Sequence, residues 1–286
     1  MHAYGYVDGT ITDLADARVP LTDRGYLLGD GVFETIRVSR GHVFRRDDHA
    51  TRLQRGLEVL GMDDSLVTDF HVAVDALIDA ARDDLGDDLY LRINITGGPM
   101  DDIGGEDRGV SVTGSCKRFQ PYPMKHYADG VRLVVAPQRK DPADPLSTIK
   151  HLSFLPYVAA RRHAMAKTAH DAILLNVAGD VAEATTSNVF AVVDGVLHAP
   201  GPDQGALPGV TRQVVLELAE DTGLDVCNDL PLASLRAASE AFVTNTTGGV
   251  VPVTRFAADP IGAGSKGDLT TRLGGALEAM VRGAEA

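Results

Sequence analysis

The sequence predicts an α+β protein, and three kinds of local pattern support that fold class. Period-two alternation in YGYVDGTIT and GVFETIRVSRGHVF predicts strands near the start of the chain. Helical periodicity follows in DDHATRLQRGLEVLG and SLVTDFHVAVDALIDAARDDLG, and glycine-containing turns separate the runs. Because 286 residues can enclose two modest cores, we expect a second domain with its own strands and helices.

Turn and cap signals set the boundaries of the first elements. An Asp-Gly step at 8–9 and an Arg-Gly step at 40–41 each interrupt an alternating run, which predicts two hairpins. Asp47 or Asp48 is expected to cap the first long helix, and Gly61 is expected to end it. The runs LYLRINIT and GVSVTGSC predict the next two strands.

The chain divides into two predicted domains. Residues 1–118 form a small N-terminal α/β domain, and residues 119–126, inside the proline-containing run KRFQPYPMKHY, form a linker. Residues 127–286 form the larger domain. Its predicted strands lie in VRLVVAP, DAILLNVAGDVAEATTSNVFAVVDGVLHAP and EAFVTNTTGGVVPVTRF, and its predicted helices lie in HLSFLPYVAARRHAMAK and GVTRQVVLELAEDTG.

The composition excludes several function classes. The formal net charge is −13, with 31 Asp, 9 Glu, 6 Lys and 21 Arg, and such a surface repels nucleic acid and anionic lipid. It resembles the acidic surfaces of proteins from salt-loving organisms, where salt screens the repulsion, although an ordinary acidic enzyme is the alternative. We expect a cytoplasmic protein, because the sequence has no signal peptide and no apolar run of membrane-spanning length. Cys116 and Cys227 lack disulfide or metal-ligand spacing, so reduced cysteines and no metal site are expected.

Three segments carry residue types that suit one kind of chemistry. Lys150, in STIKHLSFLPYV, supplies an amine that can form a Schiff base with a carbonyl group. Glu183, in VAEATTSNVF, is a carboxylate within an apolar strand pattern, where it must be paired. ALPGVTRQ places Pro208 and Gly209 at a helix start, whose backbone amides attract an anion. Taken singly, a surface lysine, an edge-strand glutamate and an ordinary helix start would explain the same segments.

Together, the three segments match the needs of pyridoxal 5′-phosphate (PLP). PLP requires an amine to hold its aldehyde, a carboxylate to keep its ring nitrogen protonated, and a cradle for its phosphate. Thr211, with Thr246 and Thr247 in TNTTGG, offers hydroxyl groups to a phosphate, and Arg52 offers charge. A common turn and a solvated arginine are the alternatives at these positions.

Six ordered motifs carry a resemblance to a known family over nearly the whole chain. They are DRGYLLGDGVFETIRV, DDHATRL, STIKHLSFLPYV, AEATTSNVFAV, LPGVTRQ and FVTNTTGGVVPV. With them the sequence resembles the class IV PLP-dependent aminotransferases, a family that also includes aminodeoxychorismate lyase. The resemblance implies fold type IV, with a small N-terminal α/β domain, a larger C-terminal pseudo-barrel domain and PLP in the cleft between them. It also implies a homodimer with the active site near the subunit interface.

The resemblance implies a role for each matched residue. Lys150 is then the catalytic Schiff-base lysine, and Glu183 is the partner of the pyridine nitrogen. The other residues implied to bind the cofactor are Arg52, Tyr157, Asn188, Leu207, Val210, Thr211, Thr246 and Thr247. The residues implied to bind the substrate are Phe33, Thr35, Arg37, Tyr90 and Arg92.

The resemblance leaves three substrate classes open. Tyr90 and Arg92, in a Tyr-x-Arg pattern, resemble the branched-chain group, which transfers the amino group of L-amino acids with glutamate and 2-oxoglutarate. Gly97 stands where D-specific enzymes carry an arginine, which disfavours D-amino acids. Thr35 resembles a hydroxyl residue of aminodeoxychorismate lyase, which releases pyruvate and p-aminobenzoate, and RINITGGPMDDIGGEDRG superficially resembles its glycine-rich loop. We predict an L-specific aminotransferase, with the lyase as the alternative.

A protein that binds PLP without catalysis is a further alternative. Such a descendant is expected to have lost Lys150 or Glu183, and this sequence keeps both.

Overall fold

The computed structural model describes residues 2–101 and 109–283, and its mixed strands and helices confirm the α+β class. The chain forms two compact units. The N-terminal unit contains Met1–Gln120 and Ile149–Phe154, and the C-terminal unit contains Pro121–Thr148 and Leu155–Ala286. Part of the glycine-rich segment that resembles the lyase loop, residues 102–108, lies outside the described residues.

The N-terminal unit begins with two hairpins at the predicted turns. Positions 8 and 9 have φ of 45° and 90°, and positions 40 and 41 have φ of 51° and 77°, which suits tight two-residue hairpin turns. In chain order the elements of the unit are β1 (Tyr4–Val7), β2 (Thr10–Asp13), α1 (Arg24–Leu28), β3 (Gly31–Ser39), β4 (His42–Val43), α2 (Arg46–Leu60), α3 (Leu66–Leu85), β5 (Leu89–Thr96) and β6 (Ser111–Arg118).

Within the described residues, these strands form one antiparallel sheet in the order β2-β1-β6-β5-β3-β4. One face of the sheet packs on α2 and α3. Val32, Ile36, Leu91 and Ile93 point to that face and are fully buried with Phe70 of α3. Each such side chain stabilises the fold by roughly 1.5–3 kcal/mol. The opposite face is therefore the one that can carry polar chemistry.

The start of α2 differs from the sequence prediction. The N-cap residue is Arg45, which has φ of 53° and whose side chain makes no capping hydrogen bond. Asp47 and Asp48 lie inside the first turn, where their charges still favour the positive end of the helix dipole. Gly61 ends the helix in the left-handed conformation, as predicted.

The short segment 149–154 pairs with the first residues of β3, the strand that begins at Gly31. The Phe33 amide donates to the Lys150 carbonyl at 2.9 Å, and the Leu152 amide donates to the Gly31 carbonyl at 2.8 Å. The sequence predicted that HLSFLPYVAARRHAMAK is mostly helix, and the helix occupies Leu155–Ala166 of this segment. Pro156 explains the later start, because proline is tolerated in the first helical turn and not inside a helix. Lys150 consequently lies on extended backbone that β3 holds in place.

The C-terminal unit contains the predicted strand segments and both predicted helices, and its described part has three further α-helices, Met124–Ala128, Leu232–Ala237 and Asp268–Val281, that the sequence analysis did not predict. Its elements are α4 (Met124–Ala128), β7 (Val131–Lys140), a 3-10 turn (Pro145–Thr148), α5 (Leu155–Ala166), β8 (Asp171–Asn176), β9 (Val181–Ala184), β10 (Asn188–Val193), β11 (Val196–His198), a 3-10 turn (Pro202–Gln204), α6 (Val210–Asp221), β12 (Val226–Cys227), α7 (Leu232–Ala237), β13 (Glu240–Asn245), β14 (Gly249–Phe256), β15 (Asp259–Pro260) and α8 (Asp268–Val281).

Among the described residues, one curled half-barrel sheet forms the frame of this unit. Its strand order is β12-β11-β10-β13-β14-β7-β8-β9, and β15 pairs with β14. The pairs β14–β7 and β7–β8 are parallel, whereas β8–β9 is antiparallel. Ala160 and Ala164 of α5 pack against Val134 and Ala172 of the sheet, and these small side chains let the helix lie close.

No helix among residues 2–101 and 109–283 combines the length and the apolar character that crossing a bilayer requires. Cys116 is a buried core residue, whereas Cys227 is only partly buried.

Candidate active site

The predicted site residues fall into two groups, one in each unit. The N-terminal unit holds Phe33, Thr35, Arg37, Arg52, Tyr90, Arg92 and Lys150. The C-terminal unit holds Tyr157, Glu183, Asn188, Leu207, Val210, Thr211, Thr246 and Thr247.

The substrate residues predicted in the N-terminal unit share one face of its sheet. In the β3–β5 pair, Thr35 lies opposite Arg92 and Arg37 lies opposite Tyr90, while Phe33 lies opposite Asn94. Directly opposed residues of an antiparallel pair point to the same face. The structure therefore brings together all five predicted residues on the face that α2 and α3 leave uncovered.

The Phe33 ring is the centre of this face. The Arg92 guanidinium carbon lies 3.7 Å from the ring centroid, and Lys150 Nζ lies 4.3 Å from the same centroid. Phe154 packs edge-on against Phe33, with 5.7 Å between ring centroids. Because both groups lie over the same ring, the distance between the Arg92 guanidinium carbon and Lys150 Nζ cannot exceed the sum of these two centroid distances. This spacing suits a small substrate that has a carboxylate and an amino group.

Arg92 is oriented by its neighbour on the strand. Its Nε donates to Asn94 Oδ1 at 2.9 Å, and Asn94 Nδ2 donates to Thr113 Oγ1 at 3.2 Å. Burial lowers the pKa of Arg92 from its ordinary value, although an arginine stays charged near neutral pH. Its weakly hydrated cation is a strong partner for a substrate carboxylate.

Arg37 and Tyr90 continue the cationic face. The Arg37 guanidinium carbon lies 4.4 Å from the centroid of the Phe119 ring, and Lys117 Nζ lies 4.7 Å from that of the Tyr90 ring. Arg37 is 9% exposed, so the residue is largely withdrawn from water.

Arg52 is held on the other side of the sheet by a carboxylate that the sequence analysis did not select. Arg52 donates Nε to Glu34 Oε1 at 2.8 Å and Nη2 to Glu34 Oε2 at 2.6 Å. His49 Nδ1 lies 2.7 Å from Glu34 Oε2. Burial alone would raise the pKa of Glu34, but the charge of Arg52 and the hydrogen bond from His49 outweigh it and lower that pKa to about 2.

Glu183, the predicted ring-nitrogen partner, lies inside the C-terminal unit on β9. The residue is 5% exposed, and its Oε2 accepts the Leu207 amide at 2.9 Å. Its Oε1 accepts Lys140 Nζ at 2.7 Å and the Tyr157 hydroxyl at 3.1 Å. The carboxylate is therefore paired, as its burial requires.

Tyr157 lies between the two charged groups. Lys140 Nζ donates to the Tyr157 hydroxyl at 2.6 Å, and that hydroxyl donates to Glu183. Burial, with the nearby charge of Glu183 and the hydrogen bond to it, raises the pKa of Tyr157 well above its ordinary value. Tyr157 is consequently a neutral hydrogen-bonding group at physiological pH.

The start of α6 is built to stay open. Gly209 is the N-cap residue, and glycine has no side chain that could cap the first helical amides. A Cβ at Gly209 would lie 2.0 Å from Asn188 Oδ1, so only glycine fits there. Asn188 Nδ2 donates to the Leu207 carbonyl at 2.8 Å, which fixes the chain just before the helix. Val210 and Thr211 follow as buried residues of the first turn.

The turn that contains Thr246 and Thr247 is fixed from within. Asn245 Oδ1 accepts the Gly248 amide at 2.6 Å and the Thr247 amide at 3.1 Å. Asn245 Nδ2 donates to Ser187 Oγ at 2.8 Å. Ser187 and its neighbour Asn188 therefore connect this turn to the loop before α6.

These C-terminal residues fit the phosphate and ring nitrogen of PLP. Thr244 is 1% exposed, and its hydroxyl oxygen has no partner among the described residues. Thr244 lies directly opposite Asn188 in the β10–β13 pair, so both side chains are on the same face of the sheet. Asn188 lies against the N-cap of α6, so the Thr244 hydroxyl is on the sheet face that carries the start of this helix. An anion bound there would explain why a buried hydroxyl has no protein partner among the described residues.

Several groups that shape the site were missed from the sequence. Glu34, His49, Ser187 and Asn245 stand inside motifs quoted above, yet no role was assigned to them. Lys140 lies outside those motifs. The scarcity of lysine, 6 residues in all, was a signal that applied to it as well as to Lys150.

Comparison with known proteins identifies the family of the chain. The family model for amino-transferase class IV matches residues 31–256. A putative branched-chain-amino-acid aminotransferase of Methanocaldococcus jannaschii is 34% identical over 270 residues, which covers 94% of this chain and 93% of the relative. A D-alanine aminotransferase of Bacillus licheniformis is 32% identical over 278 residues, with 95% and 94% covered.

Solved structures give the same result. A branched-chain amino acid aminotransferase from T.th., solved with pyridoxamine 5′-phosphate, has a TM-score of 0.90 and 25% identity, with 100% of this chain and 96% of that chain covered. The branched-chain aminotransferase of Thermoproteus uzoniensis has a TM-score of 0.88 and 28% identity, with 100% and 96% covered. The chain belongs to the class IV aminotransferase family, a family of PLP enzymes with fold type IV.

Proposed function

We propose that this aminotransferase moves the amino group of an L-amino acid of the branched-chain type to a 2-oxo acid, with glutamate and 2-oxoglutarate as the second pair. The observation that carries the proposal is the Phe33 ring with Arg92 and Lys150 against it. A guanidinium for the carboxylate and an amine for the reacting centre stand beside one apolar ring. Phe154, which packs edge-on against the buried Phe33 ring, is partly exposed and would offer an apolar surface to a hydrocarbon side chain.

The residues that would hold PLP follow from the geometry of each unit. PLP supplies an aldehyde that captures amines and a protonated ring that withdraws electrons from the substrate carbon. Glu183 would hold the ring nitrogen, and the amides of Val210 and Thr211 at the α6 start would hold the phosphate. Thr246 and Thr247 would add hydroxyl groups to the phosphate site. The family resemblance also implies a phosphate role for Arg52, whose Nε and Nη2 are held by Glu34.

Lys150 would bind PLP through Nζ and later move a proton. As a neutral amine, Nζ accepts the proton from the α-carbon of the substrate. The Arg92 guanidinium lies over the same ring as Nζ. Arg92 meanwhile holds the substrate carboxylate, and this contact orients the α-carbon toward the amine.

The surroundings of Gly97 support L rather than D specificity. A Cβ at Gly97 would lie 2.9 Å from Cδ and Nε of Arg24 and 2.9 Å from Asp30 Oδ2. Arg24 and Asp30 form an ion pair at 2.6 Å in that space. An arginine side chain at position 97 would have to displace this pair.

Two features favour the lyase alternative: the Thr35 hydroxyl, which lies opposite Arg92, and the glycine-rich segment that contains residues 102–108, outside the described residues. The relatives and solved structures described above carry aminotransferase names. We therefore place the lyase second, as an outcome that the experiment below must be able to detect.

A substrate panel tests the proposal. The PLP-loaded protein is assayed with L-leucine, L-glutamate or D-alanine and a 2-oxo acid acceptor, in parallel with aminodeoxychorismate, at low salt and at molar salt. We expect L-leucine and L-glutamate to react and D-alanine to react much more slowly. Preferred turnover of D-alanine, or release of p-aminobenzoate in place of amino transfer, would overturn the assignment.

A variant of Arg92 tests whether the guanidinium that lies over the Phe33 ring binds the substrate carboxylate. Arg92→Ala should raise KM for L-leucine by about 10–100-fold, because a charged hydrogen bond to the carboxylate is lost. PLP affinity should change far less. Arg82→Ala, which removes an arginine whose side chain is 60% exposed, is the matched control and should leave KM unchanged. An unchanged KM in Arg92→Ala would place the carboxylate elsewhere.

We also propose that the protein is a homodimer. Leu21, Tyr26 and Leu27, in and before α1, are 77%, 68% and 51% exposed in the single chain, and such apolar exposure is typical of a surface that a partner covers. Light scattering on the purified protein tests this; a monomer at micromolar concentration would contradict it.

A further inference from the structure

Lys140 is a buried cation to which the proposed function gives no role. Its side chain is 6% exposed at the end of β7. Nζ donates to the Ser147 carbonyl at 2.7 Å, to the Tyr157 hydroxyl at 2.6 Å and to Glu183 Oε1 at 2.7 Å. An ammonium group has three N–H donors, so these contacts satisfy Lys140 completely.

Glu183 is held from both of its oxygens in the same network. Oε1 accepts from Lys140 and Tyr157, and Oε2 accepts from the Leu207 amide. A carboxylate offers about four acceptor positions, so one position remains on Oε2. Glu183 can therefore accept one more N–H without releasing Lys140.

The charges in this network have a direct consequence. A buried carboxylate without a counter-charge is strongly destabilised, and Lys140 supplies that counter-charge from the protein itself. A cationic ligand group that joins the same carboxylate then lies close to the ammonium. Two like charges at that range repel each other, and low exposure weakens the screening by water.

We propose that Lys140 is a positioning residue that acts through Glu183: it neutralises and aims the carboxylate before PLP binds, and it opposes the positive charge of the PLP ring nitrogen afterwards. The proposal rests on the proposed function, in which Glu183 holds that nitrogen. Lys140 thereby limits the affinity for PLP and the extent to which the ring nitrogen stays protonated.

The opposite interpretation is that Lys140 is an ordinary structural ion pair. Removal of such a lysine would weaken the fold and, with it, the binding of any ligand to the same degree. Removal of a repelling charge would instead strengthen the binding of a ligand that carries a protonated ring nitrogen.

Two ligands separate these interpretations. We would measure dissociation constants of PLP and of its 1-deaza analogue, in which a carbon replaces the ring nitrogen, at fixed pH and salt. Lys140→Met removes the charge, and Lys140→Gln removes it while keeping a polar group that can satisfy Ser147 and Tyr157 if the methionine variant folds poorly. Lys140→Arg keeps the charge, and Lys266→Met removes an exposed charge from the same unit.

We expect Lys140→Met and Lys140→Gln to bind PLP at least about tenfold more tightly than the wild type. The 1-deaza analogue should bind all variants equally, and Lys266→Met should behave as the wild type. Lys140→Arg, which keeps the charge, should not bind PLP more tightly than the wild type. As a second measurement, the rise in Tm on adding PLP should be larger in Lys140→Met than in the wild type.

Two results would overturn the proposal. One is PLP binding that is unchanged or weaker in both neutral variants, and the other is an equal change for PLP and its deaza analogue. Failure of the proposed function gives a separate signal, because the wild type would then fail to bind PLP or to transfer amino groups from L-amino acids.

Discussion

Lys140 and Lys150 show how the two units treat the same side chain in different ways. Lys150 Nζ lies against the face of Phe33, on the ring that also carries Arg92. Lys140 Nζ is surrounded by three oxygen acceptors, one of them the Glu183 carboxylate. An amine that attacks a carbonyl needs its lone pair, and an ammonium that is satisfied by a carboxylate cannot offer one. The surroundings therefore support Lys150 as the nucleophile and Lys140 as a fixed charge.

The buried carboxylates of the two units differ in a related way. Glu34 pairs with an arginine and a histidine in the N-terminal unit, whereas Glu183 pairs with a lysine, a tyrosine and a backbone amide. The bidentate contact with Arg52 fixes a guanidinium in one orientation. The Glu183 network instead leaves one acceptor position on Oε2. Glu34 thus orients a cation, and in the proposed function the free position of Glu183 would receive the ring nitrogen of PLP.

The strongest change should separate the two lysines by activity. Lys150→Ala should abolish transamination, with a loss of more than about a thousandfold in kcat, because the nucleophile and the proton carrier are the same group. Lys140→Met should keep measurable turnover, because Lys140 acts through Glu183. Initial rates with L-leucine and 2-oxoglutarate give the comparison. A dead Lys140→Met beside an active Lys150→Ala would exchange the two roles.

The next effect concerns stability in the C-terminal unit. Lys140→Met and Glu183→Gln should each lower the free energy of unfolding by about 3–5 kcal/mol, because each leaves a buried charge without its partner. The double variant should lose much less than the sum of the two. Urea unfolding of the PLP-free protein measures this, with Lys266→Met as the control. Additive losses would mean that the two groups do not depend on each other.

The dependence of stability on acid pH tests the ion pair of Glu34 in the N-terminal unit. Burial opposes ionisation of Glu34, but Arg52 and His49 lower its pKa to about 2, below the ordinary 4.5. The ion pair therefore contributes stability that is present above pH 4.5 and is lost as the pH falls toward 2, amounting to about 3 kcal/mol.

Glu34→Gln should remove much of this dependence between about pH 5 and pH 2, as measured by urea unfolding at each pH. Glu58→Gln, an exposed change on α2, is the control and should keep the wild-type profile. If Glu34→Gln shows the same acid sensitivity as the wild type, another carboxylate controls acid stability.

The weakest change tests the L preference. Gly97→Arg should displace the Arg24–Asp30 ion pair and lower stability by about 1 kcal/mol, without creating D-alanine activity. Gly275→Arg is the control, because a Cβ at Gly275 meets open space. A substrate panel with both variants measures the result. D-alanine turnover in Gly97→Arg would show that position 97 alone decides between the two enantiomers.

Local patterns predicted the elements well where one short signal controls the backbone. The hairpin turns at 8–9 and 40–41 and the end of α2 at Gly61 depend on residues that accept positive φ, and the structure confirms them. The start of α2 was wrong, because Arg45 adopts the left-handed conformation without any sequence signal. The segment predicted to be mostly helix contains α5, but its first residues are extended because 149–154 pairs with a strand that lies far earlier in the chain.

The candidate site shows the same division between residue identity and residue contact. Phe33, Thr35 and Arg92 were selected from motifs, and the period of two then requires that β3 and β5 present them on one face. The Lys140–Glu183 contact joins residues 43 positions apart, and no local pattern marks it. The contact depends on the pairing of β7, β8 and β9 as neighbours in one sheet and on the register of these strands.

Short motifs and periodicity were sufficient for the family and the fold class, and they selected candidate residues with the functional groups for PLP chemistry. Those signals act over a few residues, so they can be read directly from the chain. The contacts of the charged groups are defined only in the folded molecule. Arg92 and Lys150 lie over the Phe33 ring, Arg52 pairs with Glu34, and Lys140 pairs with Glu183. Strand pairing across long stretches of chain creates these contacts, and burial makes them strong because water is excluded.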